Sequence, residues 1–332
     1  QSIVGASTLL WIVHFLILRG VQTAASINLV ATLAKLLPLG LFVVLAMMMF
    51  KLDTFKLDFT GLALGVPVWE QVKNTMLITL WVFIGVEGAV VVSARARNKR
   101  DVGKATLLAV LSALGVYLLV TLLSLGVVAR PELAEIRNPS MAGLMVEMMG
   151  PWGEIIIAAG LIVSVCGAYL SWTIMAAEVP FLAATHKAFP RIFARQNAQA
   201  APSASLWLTN ICVQICLVLI WLTGSDYNTL LTIASEMILV PYFLVGAFLL
   251  KIATRPLHKA VGVGACIYGL WLLYASGPMH LLLSVVLYAP GLLVFLYARK
   301  THTHDNVLNR QEMVLIGMLL IASVPATWML VG

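Results

Sequence analysis

Apolar residues fall in ten blocks along this chain, 2–18, 26–50, 74–94, 104–128, 153–177, 204–223, 228–250, 259–275, 279–298 and 313–331, with short polar connections between them. Crossing the roughly 30 Å of hydrocarbon in a bilayer takes about 20 residues of helix, and each block is close to that length or longer. Lipid offers no partner to a backbone N–H or C=O, so a spanning segment is either a helix or a strand of a closed barrel. Barrel strands show about ten residues of alternating polarity, whereas these blocks are continuous and rich in Leu, Ala, Gly and Ile. The pattern predicts an all-α polytopic membrane protein with ten spanning helices.

Composition agrees. Hydrophobic residues fill 61% of the 332 positions and charged residues 11%, against about 45–50% and about 25% in soluble domains. The net charge of +7 does not signal nucleic acid, because the basic residues lie in the connections between blocks. Four cysteines, Cys166, Cys212, Cys216 and Cys266, all lie inside apolar blocks, where Cys is small packing material. No disulfide framework, metal or cofactor is expected. No signal peptide is visible, and a chain that opens on Gln1 directly before an apolar run reads as starting at an internal cut.

The charges also give an orientation. Connections after the odd-numbered blocks carry Arg19; Arg95, Arg97, Lys99, Arg100 and Lys104; Lys187, Arg191 and Arg195; Lys251, Arg255 and Lys259; Arg299, Lys300 and Arg310. The alternate connections carry only Lys51, Lys56, Lys73, Arg130 and Arg137. Basic residues mark the cytoplasmic side, so the first set is expected in the cytoplasm and the C-terminus on the far side of the inner membrane. A missed or false helix would scramble this alternation. The two longer non-cytoplasmic connections, 51–73 and 130–153, hold most of the acids that lie in connections, among them Asp53, Asp58, Glu132 and Glu135.

Three charges lie deep inside the blocks, well away from their ends: Lys35, Glu87 and Glu236. At a helix centre such a charge costs at least about 2.5–3.5 kcal/mol, so it faces protein or water and marks a candidate site. Glu87 stands between Gly85 and Gly88 in mid-block. Either the glycines are packing notches and Glu87 a structural partner, or the helix breaks there and exposes backbone polar groups to a substrate, as discontinuous transporter helices do. His14 is expected to be a hydrogen-bonded packing residue. His302, His304 and Asp305 have metal-ligand spacing, but in a short solvated connection without a fourth ligand they read as plain loop.

Three ordered stretches carry a family resemblance. Thr79-Leu-Trp-Val-Phe-Ile-Gly-Val-Glu-Gly88 with the basic run Ala94-Arg-Ala-Arg-Asn-Lys-Arg100 resembles the sixth helix and following loop of the amino acid–polyamine–organocation superfamily. Cys166-Gly-Ala-Tyr-Leu-Ser-Trp-Thr-Ile-Met-Ala-Ala-Glu178, then Phe189-Pro-Arg-Ile-Phe-Ala-Arg-Gln-Asn197 and Ala201-Pro202, resembles the eighth helix and its loop. Leu239-Val-Pro-Tyr-Phe243 resembles the middle of the tenth. The likeness covers most of the chain and is nearest to the basic amino acid/polyamine antiporters, which include arginine/agmatine and arginine/ornithine exchangers.

This resemblance implies the leucine-transporter fold, two inverted five-helix repeats. The chain would begin at the fourth helix: residues 1–52 hold the last two helices of the first repeat, 53–250 the second repeat, and 251–332 three peripheral helices. Ten segments plus three missing gives thirteen, a count seen mainly in the arginine/ornithine branch. The first helix, whose glycine-rich break binds the substrate's carboxylate and amino groups, would be absent, so this chain is not expected to transport alone.

Residue roles follow from the same resemblance. The substrate-binding and gating set is Trp81, Ile84, Gly85, Glu87, Trp172, Glu236 and Tyr242. Trp81 and Trp172 match aromatics of the pocket, Trp81 closing over the substrate side chain; a cation over an indole face gains about 0.5–2 kcal/mol when desolvated. The competing reading is a Trp packed against lipid or protein. Glu87 matches an acid linked to pH response and gating, and a low-dielectric surrounding disfavours a bare carboxylate. Lys35 matches the lysine that stands where sodium-coupled relatives hold an ion, which argues against sodium coupling; the alternative is a snorkelling lysine. Glu236 departs from the arginine/agmatine pattern, which is apolar there. It is an extra pocket acid, a partner for Lys35, or structural. Tyr242 is a candidate outer gate.

The expected function is secondary transport of cationic amino acids, arginine against ornithine, by alternating access. The alternative is a proton-coupled permease for another amino acid or a polyamine. A channel would need a repeated filter motif, a haem subunit paired His on facing helices, and an intramembrane hydrolase a Ser/His or His/Asp pair at midplane depth; none is present, so the chain is not expected to be an enzyme. The expected partners are small cationic amino acids, the lipid bilayer and, in a homodimer, a second copy; nucleic acid is not among them.

Overall fold

The computed structural model of the chain describes residues 2–57, 59–93, 96–136, 139–224, 227–276, 278–302, 308 and 310–331. Each of the ten apolar blocks falls on helix. They become α1 (Ser2–Leu18), α2 (Val21–Met49), α4 (Val68–Phe83) followed by the single turn α5 (Gly88–Val91), α6 (Lys99–Val127), α9 (Pro151–Thr185), α10 (Ser203–Thr223), α11 (Tyr227–Ile252), α12 (Pro256–Ser276), α13 (Pro278–His302) and α14 (Arg310–Val331). No strand occurs among the described residues.

Five helices there are both long and apolar enough to cross a bilayer: Ser26–Met49, Asp101–Val127, Pro151–Thr185, Ser203–Thr223 and Pro256–Ser276. The block at 74–94 falls short because a break divides it into α4 and α5. Large apolar side chains such as Leu37, Met48 and Leu108 are exposed. In water such a surface would aggregate, and its extent marks a lipid-facing protein. The chain is an all-α multi-pass membrane protein.

The long connections contain structure that hydropathy did not reveal. The 51–73 connection holds α3 (Leu52–Lys56), and the 130–153 connection holds α7 (Arg130–Glu135) and α8 (Ser140–Met149). Met145 and Leu144 of α8 are buried in one cluster with Phe42 and Ala46 of α2 and Ile157 of α9. All three are too short to span; α3 and α7 bury no residue, and the burial of α8 comes from packing against the spanning helices.

By compactness the chain forms two units that interleave along the sequence. The first comprises Gln1–Val68, Gly85–Val179 and Arg195–Gln214, the second Trp69–Ile84, Pro180–Ala194 and Ile215–Gly332. Lipid tails are as apolar as the helices, so association in a membrane relies on close packing and small residues. In the first unit α2 crosses α9 in this way. A Cβ at Gly167 would lie 2.7 Å from the Ala31 Cβ, and one at Gly160 would overlap the Pro38 ring. A second core there joins Val13 and Ile17 of α1, Leu170 and Ile174 of α9 and Leu206 of α10. In the second unit Leu80 of α4, Leu239 of α11 and Leu272 of α12 form the buried centre.

Candidate functional site

Around Glu87 the helical ladder fails, for a local reason. Gly85 takes φ +106°, a left-handed conformation open to glycine and strained for residues with a Cβ. α4 tightens before it: the Ile84 N–H donates to both the Leu80 and the Trp81 carbonyls, each at 3.2 Å. Beyond it, the Gly88 N–H turns to the Gly85 carbonyl at 3.0 Å, which releases the Ile84 carbonyl from its helical partner. The Gly85 N–H, reversed by the left-handed turn, donates to Oε2 of Glu87 at 2.9 Å. The Glu87 carbonyl then starts α5 by accepting from Val90 and Val91, at 2.8 and 3.1 Å. The half-buried carboxylate therefore stabilises the break by satisfying a donor that the helix cannot use.

α9 closes over this turn. A Cβ at Gly85 would stand 3.0 Å from Cζ2 of Trp172, and one at Gly88 would overlap the Met175 sulfur. Gly85 is thus fixed twice, by backbone conformation and by the indole against it. Trp172 itself remains 43% exposed, and its benzene edge faces the turn whose Gly85 N–H bonds the Glu87 carboxylate. A hydrogen-bonding backbone, an acid and an indole can together receive an ammonium or guanidinium.

Lys35 lies elsewhere in the same unit. It lines a cleft of about 690 Å³ with Thr32 of its own helix, Ser112 and Tyr117 of α6, and Ser164 of α9. Pro38, on the same wall, lacks the N–H that would bond the Ala34 carbonyl. A cation with hydroxyls and a loosened carbonyl nearby has polar company at membrane depth. Ser164 and Trp172 are eight residues apart on α9, about 12 Å at helical rise. Lys35 and Glu87 thus serve separate stretches of one helix.

The second unit holds Trp81, Ile84 and Tyr242. Trp81, half-buried, follows Leu80 on α4, and Tyr242 packs against the Leu80, Leu239 and Leu272 core. Glu236 is on α11, but its side chain lies outside the described residues, as do those of His302, His304 and Asp305.

Sequence reasoning missed two features. Glu178, the last residue of the stretch that resembles the eighth helix, lies one position past the apolar block yet well inside α9, which continues to Thr185 and buries it to 1% exposure. The helix-compatible run after it was the available signal. His14 is fully buried and bonded, as expected of a packing residue, and its partner is Asn210, whose Nδ2 donates to the His14 Nδ1 at 2.7 Å. An Asn in mid-block was the signal for that pair. Trp11, Phe15 and Trp207 surround the imidazole edge-on.

Comparison with known proteins adds an independent line. The sequence profile of a family described as amino acid permease matches residues 1–320. The chain is 44% identical over 318 residues to an arginine/ornithine antiporter of Pseudomonas aeruginosa, covering 90% of this chain and 66% of that protein. It is 41% identical over 323 residues to an arginine/agmatine antiporter of Chlamydia caviae, covering 92% and 66%. An arginine/agmatine antiporter of Chlamydia pneumoniae is 38% identical over 345 residues, covering 97% and 71%. The chain thus spans 66% of the length of the first two relatives.

Proposed function

This chain belongs to the amino acid permease family, and we propose that the transporter it forms exchanges cationic amino acids, arginine against ornithine, by alternating access. The observation that carries this is the break at Gly85–Glu87, where a carboxylate and an exposed indole flank backbone freed from the helix. The relatives agree with it, as the arginine/ornithine antiporter of Pseudomonas aeruginosa shares 44% identity. The arginine/agmatine antiporters among the relatives favour a second reading, in which the exported partner has lost its carboxylate.

In this proposal Trp172 stacks on the substrate cation and Glu87 couples its charge to the break. The carboxylate's bond to the Gly85 N–H is charge-assisted, and a competing substrate cation weakens it. The turn is then free to rearrange, which links occupancy to gating. Trp81, Ile84, Glu236 and Tyr242 join the site on sequence resemblance, Trp81 as the closing aromatic and Tyr242 as an outer gate. Lys35 fills the place of a sodium ion, so exchange needs no sodium gradient.

The same proposal takes the leucine-transporter division of the chain at residues 52 and 250 and a homodimeric assembly. It puts the protein in the inner membrane with the basic connections in the cytoplasm, as fifteen Lys and Arg against five indicate. The test is counterflow in proteoliposomes of the intact transporter, loaded in turn with ornithine, agmatine, lysine or buffer. Labelled arginine should accumulate with ornithine inside and stay near background with buffer inside. Stronger counterflow with agmatine selects the second reading. Proton-driven uptake into empty vesicles selects a permease, and no counterflow with any dibasic compound overturns the proposal.

A further inference from the structure

One end of the second unit carries an aromatic cluster that the transport reading does not use. Trp69 of α4 lies against Trp271 of α12 with ring centroids 4.5 Å apart, and Tyr274 follows Trp271 at 5.7 Å. The Lys73 Nζ sits 5.5 Å from the Tyr274 ring centroid. Glu70 is exposed one turn before Lys73, and residues three apart on a helix are neighbours. Trp69 and Tyr274 are 61% and 65% exposed although both are large and apolar-bodied.

Depth follows from the sequence. Trp69, Glu70 and Lys73 immediately precede the apolar block that starts at 74, and Trp271 and Tyr274 close the block that ends at 275. The cluster therefore sits where hydrocarbon gives way to headgroups, the level at which Trp and Tyr hold one edge in lipid and one in water. We infer that Trp69, Trp271, Tyr274, Glu70 and Lys73 form a seat for the headgroup of a zwitterionic aminophospholipid. The Lys73 ammonium receives the phosphate, and the Glu70 carboxylate accepts hydrogen bonds from the lipid's primary amine. The rings lie along the glycerol and upper acyl region.

Charge complementarity selects this lipid over the other common kinds. A glycerol headgroup carries only the negative phosphate, so it would pair with Lys73 and be repelled by Glu70. A choline headgroup has the right charges, but its quaternary nitrogen has no N–H to donate to Glu70. Lys73 is held above Tyr274 by its attraction to the ring face, which keeps the ammonium at the cluster rather than free in the headgroup layer.

Native mass spectrometry of the purified protein in detergent tests this. Phosphatidylethanolamine, phosphatidylglycerol and phosphatidylcholine are titrated in separately and bound lipids counted. The ethanolamine lipid should be retained at least several-fold more than either other lipid. Glu70→Gln and Lys73→Gln should each bring it down to the level of the choline lipid. Tyr274→Leu, which alters no charge, should weaken its retention a few-fold, whereas Tyr274→Phe should leave it unchanged. Unaltered helicity and a single elution peak qualify each variant. Equal retention of the three lipids, stronger retention of the glycerol lipid, or an ethanolamine preference that survives both charge variants overturns the inference.

Discussion

At the scale of single residues, Glu87 and Gly85 behave as one device. Replacing the carboxylate by an amide keeps its shape and an acceptor oxygen but removes the charge from the bond to the Gly85 N–H. Hydrogen bonds to charged groups contribute about 1.5–3 kcal/mol, so Glu87→Gln is expected to slow exchange roughly tenfold or more. Counterflow checks this; an unchanged rate would remove Glu87 from the site. Gly85→Ala places a Cβ both at φ +106° and 3.0 Å from Trp172. Left-handed strain costs about 1–2 kcal/mol, and the indole must also give way. Exchange should fall by more than tenfold while the protein still reaches the membrane, as surface expression and counterflow together would show.

At the scale of elements, α9 connects the candidate groups of the first unit. It meets α2 at Gly160 and Gly167, lines the Lys35 cleft at Ser164, and presses Trp172 and Met175 on the break. A large side chain at the crossing would push α2 away and loosen both places. Overpacking a well-filled site costs about 1–3 kcal/mol, so Gly167→Leu should lower the thermal unfolding midpoint by several degrees. A fluorescence-detected melt in detergent reads it, with Gly264→Leu as the control. Gly264 meets nothing within 4 Å, so that change is expected to leave the midpoint within about a degree of the parent.

For the whole molecule, the question is what drives transport. In the proposal, the Lys35 ammonium in its hydroxyl-lined cleft repels a sodium ion. Replacing sodium by choline or potassium in the proteoliposome assay should therefore leave the exchange rate unchanged, within about twofold. A strict sodium requirement would overturn the role given to Lys35.

Sequence alone determined the class, the element type and the membrane setting, because hydropathy, block length and backbone hydrogen bonding are local properties that lipid enforces on every spanning segment. It marked 85–88 as a place where glycines beside an acid serve either as packing notches or as a helix break, and the structure shows the break. Tertiary structure decided what those residues meet. That the Glu87 carboxylate turns back on the Gly85 N–H, that Trp172 needs the space where a Cβ would stand, and that Asn210 answers His14 across 196 positions are outcomes of packing. The short helices at 52–56, 130–135 and 140–149 also escaped the sequence reading, because too few residues are involved for periodicity to register. The burial of Glu178 escaped for a related reason: hydropathy falls where polar residues begin, whereas α9 continues as long as its backbone bonds and packing hold.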